Sequence, residues 1–276
     1  MKKTITDFLK CEQFSIARNR LTVLLLFSCF KILAQRSCEI KSRPFVSGET
    51  MIYDVYYHWG LIWAHAGECT FSVKKEEFAN TQTLHFVGEG HTINSYDHFF
   101  KVRDRFDSWT DTSSLALYRY IRNSHEGSTK TYNDNYFDHK KRSIICYKVI
   151  GKKSEVKKDT VKYEDCTFDV LSMIYYARCI NYSNYKKNDK IPISLYLDGS
   201  VNDSLYIRYI GKEKIKTRSG VKSCIVFSPL LLKGTIFAGG ENMTVWVTDD
   251  DKKMPLLIKS SIVVGEIQVK MREGKN

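Results

Sequence analysis

Alternating polarity recurs along most of this 276-residue chain and constrains its fold more than any other feature. In ECTFSV, residues 68–73, apolar side chains occupy every second position. Successive side chains of a β-strand point to opposite faces, so this period predicts a half-buried strand. By the same criterion, strands are predicted at residues 49–57, 68–73, 83–93, 99–111, 115–123, 130–138, 142–150, 159–164, 191–198, 203–211, 213–217, 222–232, 242–249, 255–264 and 265–271.

One segment departs from this pattern. DCTFDVLSMIYYARCI, residues 165–180, has apolar residues at near-helical spacing, and Asp165 or Thr167 could cap the start of a helix. Many short antiparallel strands exceed what a flat sheet accommodates comfortably. We therefore predict an all-β fold, a curved antiparallel sheet or a closed β-barrel with one short helix, in a single domain over residues 45–272.

The N-terminal segment has the composition of a targeting sequence. Basic residues precede the apolar run LTVLLLFSCFKILAQ, residues 21–35, which ends with the small Ala34 before Gln35. This order predicts a secretory signal peptide over residues 1–35 and an exported, periplasmic protein. The alternatives are an uncleaved anchor helix, a lipid anchor on Cys29, and secretion; Lys31 interrupts the run and argues against the anchor helix.

The formal net charge is +12, and removal of residues 1–36, with seven basic and two acidic residues, leaves +7. Much of this charge lies in polar loops at residues 151–159 and 184–190. We interpret it as a solvated basic face that could weakly attract anionic lipid or glycan. Nucleic acid is not an expected partner, because no stripe of stacking aromatics interleaved with arginine is visible.

The order of several motifs resembles a known family. They are GETMIYDVYYHWGLIWAHAGE (48–68), YDHFFKVRDRFDSWTD (96–111), DVLSMIYYARC (169–179), GKEKIKTRSGVKSCIVFSPLL (211–231) and VWVTDDDKKMPLLIKSSIVVGEIQVKM (245–271). Over about residues 45–272 the chain resembles the exported bacterial family called domain of unknown function 3108, in a form typical of gut Bacteroidota. The resemblance implies a β-rich, barrel-like exported domain, and it implies no activity.

The stretch HWGLIWAHAG, residues 58–67, places large apolar residues where a polar turn would be expected. In one interpretation it forms an apolar rim or pocket wall for an acyl chain or for an apolar patch of a partner. In the other, its tryptophans plug one end of the barrel as ordinary core. The candidate ligand-binding residues are Tyr57, Trp59, Leu61, Ile62 and Trp63.

Catalytic chemistry has little support in the sequence. Asp104 shares a strand face with Val102 and Phe106, so it could be a buried general acid or base. Pairing with an arginine or lysine across the sheet is the favoured interpretation. The sequence lacks the nucleophile elbow, the phosphate-binding loop and the dinucleotide fingerprint, so we predict no catalytic residue, no cofactor and no enzyme activity.

Metal binding is not predicted either. The seven histidines, at positions 58, 65, 85, 91, 98, 125 and 139, match no ligand signature. TDDDKKMP, residues 248–255, lacks the spacing of a calcium loop and is interpreted as an acidic hairpin turn. No two cysteines have the short spacing of a zinc or redox site, so structural or unpaired cysteines are expected.

These inferences lead to three hypotheses about function. The first is a non-enzymatic envelope protein that binds an apolar or amphipathic, lipid-like ligand in a β-barrel. The second is a scaffold with a filled barrel, whose loops dock onto an envelope protein. The third is a hydrolase that uses Asp104 and a histidine. The expected partners are thus a lipid-like small molecule or an envelope protein, with at most peripheral membrane contact.

Overall fold

The computed structural model describes residues 40–150, 155–232 and 239–275. These residues form fifteen β-strands, one α-helix and one short 3-10 helix. The predicted signal peptide lies outside them. The strands are β1 Thr50–Trp59, β2 Ile62–Phe78, β3 Thr81–Thr92, β4 Val102–Asp111, β5 Leu117–Glu126, β6 Thr129–Asp138, β7 Ser143–Ile150, β8 Glu155–Lys162, β9 Thr167–Phe168, β10 Lys190–Leu197, β11 Ser200–Thr217, β12 Gly220–Pro229, β13 Met243–Thr248, β14 Pro255–Ser261 and β15 Glu266–Lys275. The helix α1 spans Val170–Cys179 and the 3-10 helix spans Tyr182–Asn184.

The prediction of two separate strands at residues 203–211 and 213–217 is wrong. Both segments belong to the single 18-residue strand β11. The pairing register with β12 shifts between Tyr209 and Gly211, and Gly211 has φ of 139°. A bulge with glycine at positive φ lets a strand bend without ending. The break in alternation there marks this bulge and not a turn.

All fifteen strands belong to one sheet, in the order β8-β7-β6-β5-β4-β3-β2-β1-β15-β14-β13-β12-β11-β10-β9. Neighbours are antiparallel except β9 and β10, which are parallel. The two edge strands, β8 and β9, are joined by residues 163–166 alone. Since so short a link spans at most about 18 Å and a flat sheet of this size would be about 67 Å wide, the sheet must curl. The curled sheet stays open, because β8 and β9 are not hydrogen-bonded to each other.

Helix α1 fills the interior of the curl. Leu171 and Tyr175 pack with Phe86 and Tyr53 on one half of the sheet. The other side of the helix packs through Ala177 and its neighbours on the cluster formed by β10 to β13. The helix therefore joins the two halves of the sheet through one continuous apolar core, as expected for elements that must each bury an apolar face.

The start of α1 corrects another prediction. The N-cap is Asp169, not Asp165 or Thr167: its carboxylate accepts from the backbone N–H of Ser172, while the Ser172 hydroxyl lies 2.9 Å from the Asp169 nitrogen. This reciprocal arrangement satisfies two backbone donors that would otherwise be unpaired at a helix start. Helix α1 consequently begins five residues later than the segment with near-helical spacing.

Near the end of α1, Arg178 forms a buried ion pair with Glu49. The guanidinium lies 2.5 and 3.0 Å from the two carboxylate oxygens, and both side chains are at most 1% exposed. Arg178 also lies over the rings of Phe45 and Tyr175. The pair fixes α1 to the segment that precedes β1. No helix among the described residues combines the length and the apolar character needed to span a bilayer.

The cysteines of the described residues are of two kinds. Cys166 is disulfide-bonded. Cys69, Cys146, Cys179 and Cys224 are free thiols, in line with the expectation of structural or unpaired cysteines. Three of them lie in the strands β2, β7 and β12, where a thiol packs as a small apolar group. Burial raises the pKa of Cys69 and of Cys179 to about 12, which suppresses thiolate chemistry there.

Candidate ligand-binding site

Three connections lie together at one end of the sheet. The β1–β2 hairpin turn, the β3–β4 loop (residues 93–101) and the β14–β15 turn (residues 262–265) belong to neighbouring strands. The pairing of β1 with β15 ends at His58, and the pairing of β2 with β3 begins only at Gly67. The tip of the β1–β2 hairpin therefore projects past the strands on either side of it.

The projecting end is apolar. Leu61 is 101% exposed, and Trp59 and Trp63 are 55% and 53% exposed. Indoles that plugged a barrel would be buried, so that interpretation of residues 58–67 is wrong. Isolated exposed apolar residues are normal, but a contiguous group marks an interaction surface. We call this group the apolar rim; it consists of Trp59, Leu61, Ile62, Trp63, Phe99, Phe100, Val263 and Val264.

Tyr57 joins the three connections. Its hydroxyl donates a hydrogen bond to the backbone carbonyl of Val264 at 3.1 Å. Its ring contacts Tyr96 of the β3–β4 loop at a centroid distance of 6.1 Å, and Tyr96 in turn contacts Phe99 at 5.9 Å. Tyr57 is thus a half-buried support of the rim and not its exposed surface, since the polar end of a tyrosine usually finds a partner when buried.

The two hairpin tryptophans do not face each other. Trp59 pairs with Ile62, and His58 pairs with Trp63. Cross-strand partners share a face, whereas successive residues point to opposite faces. Trp59 and Trp63 therefore lie on opposite faces of the hairpin, so they cannot close a pocket between them as a pair.

One face of the hairpin carries positive charge beside an indole. The imidazole of His58 stacks on Trp63 at 4.2 Å, and the Lys270 ammonium lies 5.8 Å from the same indole and 4.9 Å from the ring of Tyr56. Cation–π contacts of this kind keep a lysine close to an aromatic surface while its ammonium remains accessible. The rim thus combines apolar side chains with an adjacent cation.

Around α1, the described side chains pack closely against one another at the centre of the curl. Tyr175 stacks on Phe86 at 4.2 Å, and Phe45 meets Tyr175 at 4.9 Å. At Gly88, an added Cβ would lie 2.6 Å from Leu171 Cδ2. Among the described residues, the protein's own side chains fill the interior around α1, as in many small barrels. An apolar ligand site is therefore better placed on the rim than inside the sheet.

Among the described residues, Asp104 does not have the predicted arginine or lysine partner. Its carboxylate accepts from the Ser124 hydroxyl at 2.7 Å and from the backbone N–H of His125 at 3.0 Å. These neutral donors come from the directly paired strand β5. The His125 ring is not the group that contacts it, so the acid–histidine arrangement required by the hydrolase hypothesis is not formed here.

One histidine–carboxylate group among the described residues has ligand atoms within 4.8 Å of one another, namely Asp54, His65 and Glu68. Arg272 donates to both carboxylates, and Arg218 lies 3.1 Å from Asp54. Burial raises the pKa of Asp54, but the hydrogen bond from Arg272 and the nearby charges outweigh it, so the net direction is down. The group is a compact ion-pair cluster in which guanidinium groups already neutralise the acids.

The acidic segment 248–255 forms the predicted turn between β13 and β14. The Asp250 carboxylate accepts from the Thr248 hydroxyl and from the backbone N–H groups of Lys252 and Lys253. Such side-chain-to-backbone bonds are typical of aspartate in tight turns. The acidic run thus has a structural explanation in which one aspartate organises the turn.

Sequence reasoning found half of the rim. It identified Trp59, Leu61, Ile62 and Trp63, which the structure brings together at the hairpin tip. It missed Phe99 and Phe100, which were included in a predicted strand, and Val263 and Val264. The available signal was the same as for the hairpin, namely large apolar residues in connections between strands. The segments YDHFF and SIVVG both carry it.

Fold and site together define a β-barrel-like protein, in which an open, curled antiparallel sheet carries an exposed apolar end. The chain belongs to the family described as "Protein of unknown function (DUF3108)", whose model matches residues 52–272. The family prediction is therefore confirmed. No curated protein matches the chain.

The fold is also similar to a solved structure, a β-barrel-like protein of the domain of unknown function DUF1849 from Brucella abortus. The TM-score is 0.53 at 8% sequence identity, and the match covers 82% of this chain and 96% of that chain. At this identity the similarity concerns the fold alone. The predicted fold class is confirmed, with the curved sheet as the correct alternative of the two.

Proposed function

We propose that this chain is a non-enzymatic, exported envelope protein that uses the apolar rim to bind the surface of a lipid membrane. The observation that carries the proposal is the complete exposure of Leu61 between two half-exposed indoles at a projecting hairpin tip. Keeping a leucine in water forgoes about 1.5–3 kcal/mol of burial free energy. A partner that covers the tip would recover it.

The shape of the rim favours a membrane surface over a single enclosed acyl chain. Trp59 and Trp63 lie on opposite faces of the hairpin. Together they therefore form a projecting wedge and do not form one side of a concave pocket. A wedge can insert among lipid headgroups, where tryptophan and tyrosine are enriched because their rings have both apolar and polar parts. The β3–β4 loop and the β14–β15 turn add Phe99 and Val263 beside it.

Charge supports the same occupant. Lys270 lies next to the Trp63 indole, and the chain without residues 1–36 has a formal net charge of +7. Membrane binding by shallow apolar insertion is strengthened by basic residues that attract anionic lipids. The predicted signal peptide would deliver the protein to the envelope, where such a surface is available.

Flotation with vesicles of phosphatidylglycerol and phosphatidylcholine tests the proposal. Leu61→Asp places a charge at the tip, and Trp63→Ala removes an indole; each should lower vesicle affinity about tenfold or more, because each removes at least 1.4 kcal/mol of insertion free energy. Val221→Asp is the matched control. Val221 is 66% exposed and lies by the β11–β12 turn, outside the three connections that form the rim.

Both rim variants should remain folded, since the side chains are exposed. A loss of stability of roughly 3 to 5 kcal/mol in Trp63→Ala would instead indicate a core residue. Failure of the wild-type protein to float with any vesicle would contradict membrane binding. Equal weakening by Val221→Asp would show that the rim is not the contact. An envelope protein would then be the alternative occupant of this surface.

A further inference from the structure

A polar pocket lies on the inner face of the sheet, at the same end as the apolar rim. Its volume is about 120 Å³, and it is formed by β5, β6, β7 and the β10–β11 turn. The β10–β11 turn belongs to the opposite half of the curl, so the pocket exists only because the sheet bends round. The residues that line it include Arg122, Ser124, Glu126, Thr131, Lys148 and Asp198.

The fixed charges of the pocket are internally balanced. The Arg122 guanidinium lies 2.8 Å from Asp198 and 3.2 Å from Glu126. Ser124 donates to Asp104 at 2.7 Å and approaches Glu126 at 3.1 Å. Arginine is suited to hold two carboxylates because its planar group has five N–H donors. Arg122, which is 16% exposed, is therefore a pre-organised wall of the pocket.

Several polar groups at this place still have capacity for a ligand. Among the described residues, the buried Arg122 Nε and Asn133 Oδ1 have no hydrogen-bond partner. Asn133 is only 5% exposed, and its amide nitrogen lies 3.3 Å from Asp198. Asn133 contacts Asp198 but is not one of the residues that line the pocket. The lining groups that can reach a ligand are the Arg122 guanidinium, the Thr129 and Thr131 hydroxyls, the Lys148 ammonium and the carboxylates of Glu126 and Asp198.

We propose that the pocket binds a neutral polyhydroxylated ligand, one edge of a sugar or a similar polyol. A pocket of about 120 Å³ has room for several water molecules, and therefore for a vicinal diol of two carbons and two oxygens. Each hydroxyl both donates and accepts, so a diol can accept from Arg122 and donate to Glu126 or Asp198.

Other ligand classes fit less well. An anion would compete with Glu126 and Asp198 for Arg122 and would lie beside both carboxylates. A zwitterion would need a free carboxylate for its cationic end, while those of the pocket are already bonded to Arg122. An apolar molecule would leave every lining group unsatisfied. A neutral polyol adds hydrogen bonds without breaking an existing ion pair.

The test is saturation-transfer NMR on the folded full domain with D-glucose and myo-inositol, and with phosphoethanolamine and inorganic phosphate as counter-probes. Thr131→Val removes one lining hydroxyl at constant shape, and Lys148→Met removes the ammonium. Each should weaken polyol binding by about tenfold, the loss of one hydrogen bond. Lys222→Met, at an exposed position outside the pocket, should leave binding unchanged.

The inference is overturned if neither polyol binds, if binding survives both pocket variants, or if phosphoethanolamine or phosphate binds and the polyols do not. It is independent of the membrane proposal. Leu61→Asp should abolish flotation and leave polyol binding intact, whereas Thr131→Val should do the reverse. Polyol binding lost in both Thr131→Val and Leu61→Asp would also contradict the assignment of the site to this pocket.

Discussion

Asp169 is a buried carboxylate whose protonation should be visible in folding stability. It is fully buried, and the Ser108 hydroxyl and the Ser172 backbone N–H donate to its two oxygens at 2.5 and 2.8 Å. Burial raises the pKa of Asp169 from an ordinary value of 3.8 to about 6, although these hydrogen bonds act in the opposite direction. The folded protein therefore holds a proton that the unfolded chain releases at lower pH.

The sign of the pH effect follows directly. Below pH 3.8 both states are protonated at Asp169, and above pH 6 both are ionised. Between these values stability falls as pH rises, by roughly 3 kcal/mol for a two-unit difference in pKa. Asp169→Asn keeps a good N-cap but cannot titrate. Urea unfolding from pH 3.5 to 7 should therefore give a wild-type-minus-variant difference that decreases over this window.

Comparison with the variant is necessary because other acids act in the opposite sense. Hydrogen bonds from Arg208 and Tyr206 lower the pKa of Glu241 to about 2, so its contribution is present at neutral pH and is lost on acidification. Those acids are common to both proteins and cancel in the difference. A difference that stays constant with pH would mean that the pKa of Asp169 is the same in the folded and the unfolded chain.

At the scale of elements, Gly88 controls how closely α1 packs on the sheet. A Cβ added there would lie 2.6 Å from Leu171 Cδ2, while a Cβ added at Gly90 on the same strand meets nothing closer than Cys69 at 4.0 Å. Gly88→Ala should destabilise the domain by about 1–3 kcal/mol through overpacking. Gly90→Ala should be neutral or slightly stabilising, since it restricts only the unfolded chain.

Urea denaturation at constant pH measures both free energies of unfolding. The double variant Gly88→Ala with Leu171→Val has a shorter side chain opposite the new Cβ. If the clash causes the loss of unfolding free energy in Gly88→Ala, the double variant should recover part of that loss. Equal effects of alanine at Gly88 and Gly90 would indicate that β-strand propensity matters here and the contact with α1 does not.

Local periodicity located most of the strands but did not assign their faces. The alternation at residues 68–73 predicts a strand whatever lies beside it. Along β5, however, the inner face changes from Tyr120 to Arg122, Ser124 and Glu126. A rule that places apolar residues inside cannot anticipate this change. The partners Asp198 and Lys148 come from segments distant in sequence, so the pocket could not be read from the chain.

The same distinction explains the other corrections. In the part of the chain that the structure describes, no cation pairs with Asp104, because its strand partner at that register is Ser124. Pairing register is set by turns that periodicity does not specify. The rim could be predicted from the sequence, because large apolar residues in the loops between strands can be recognised from the local sequence alone. Whether these residues were buried or exposed depended on how far the hairpin projects, which only the complete sheet determines.

For the whole molecule, curling brings distant strands into contact without joining them into a closed barrel. Tyr196 of β10 reaches across the interior, where its hydroxyl donates to Asn135 at 2.6 Å and lies 2.9 Å from the Cys146 thiol. Its ring also meets Phe137 edge-on at 5.6 Å. These contacts add to helix α1 in holding the two halves together, since β8 and β9 are not paired by backbone hydrogen bonds.

Cys146 can therefore report on opening of the curl. It is a free thiol, 6% exposed, and burial raises its pKa, so alkylation requires β10 to separate from β6 and β7. Tyr196→Phe keeps the ring but removes the bridging hydroxyl. The free energy needed to separate β10 from β6 and β7 should fall by about 1.4 kcal/mol, so the iodoacetamide labelling rate of Cys146 should rise about tenfold. Mass spectrometry of proteolytic peptides measures labelling at each cysteine separately.

Cys224 is the internal control for this experiment. It is fully buried in a cluster with Val226 and Trp246, away from Tyr196, and burial raises its pKa to about 11. If the halves separate as a unit without global unfolding, Tyr196→Phe accelerates labelling of Cys146 and leaves Cys224 unchanged. An equal increase at both thiols would mean that the sheet opens only by unfolding as a whole, and that the contact across the interior has no separate role in keeping the curl closed.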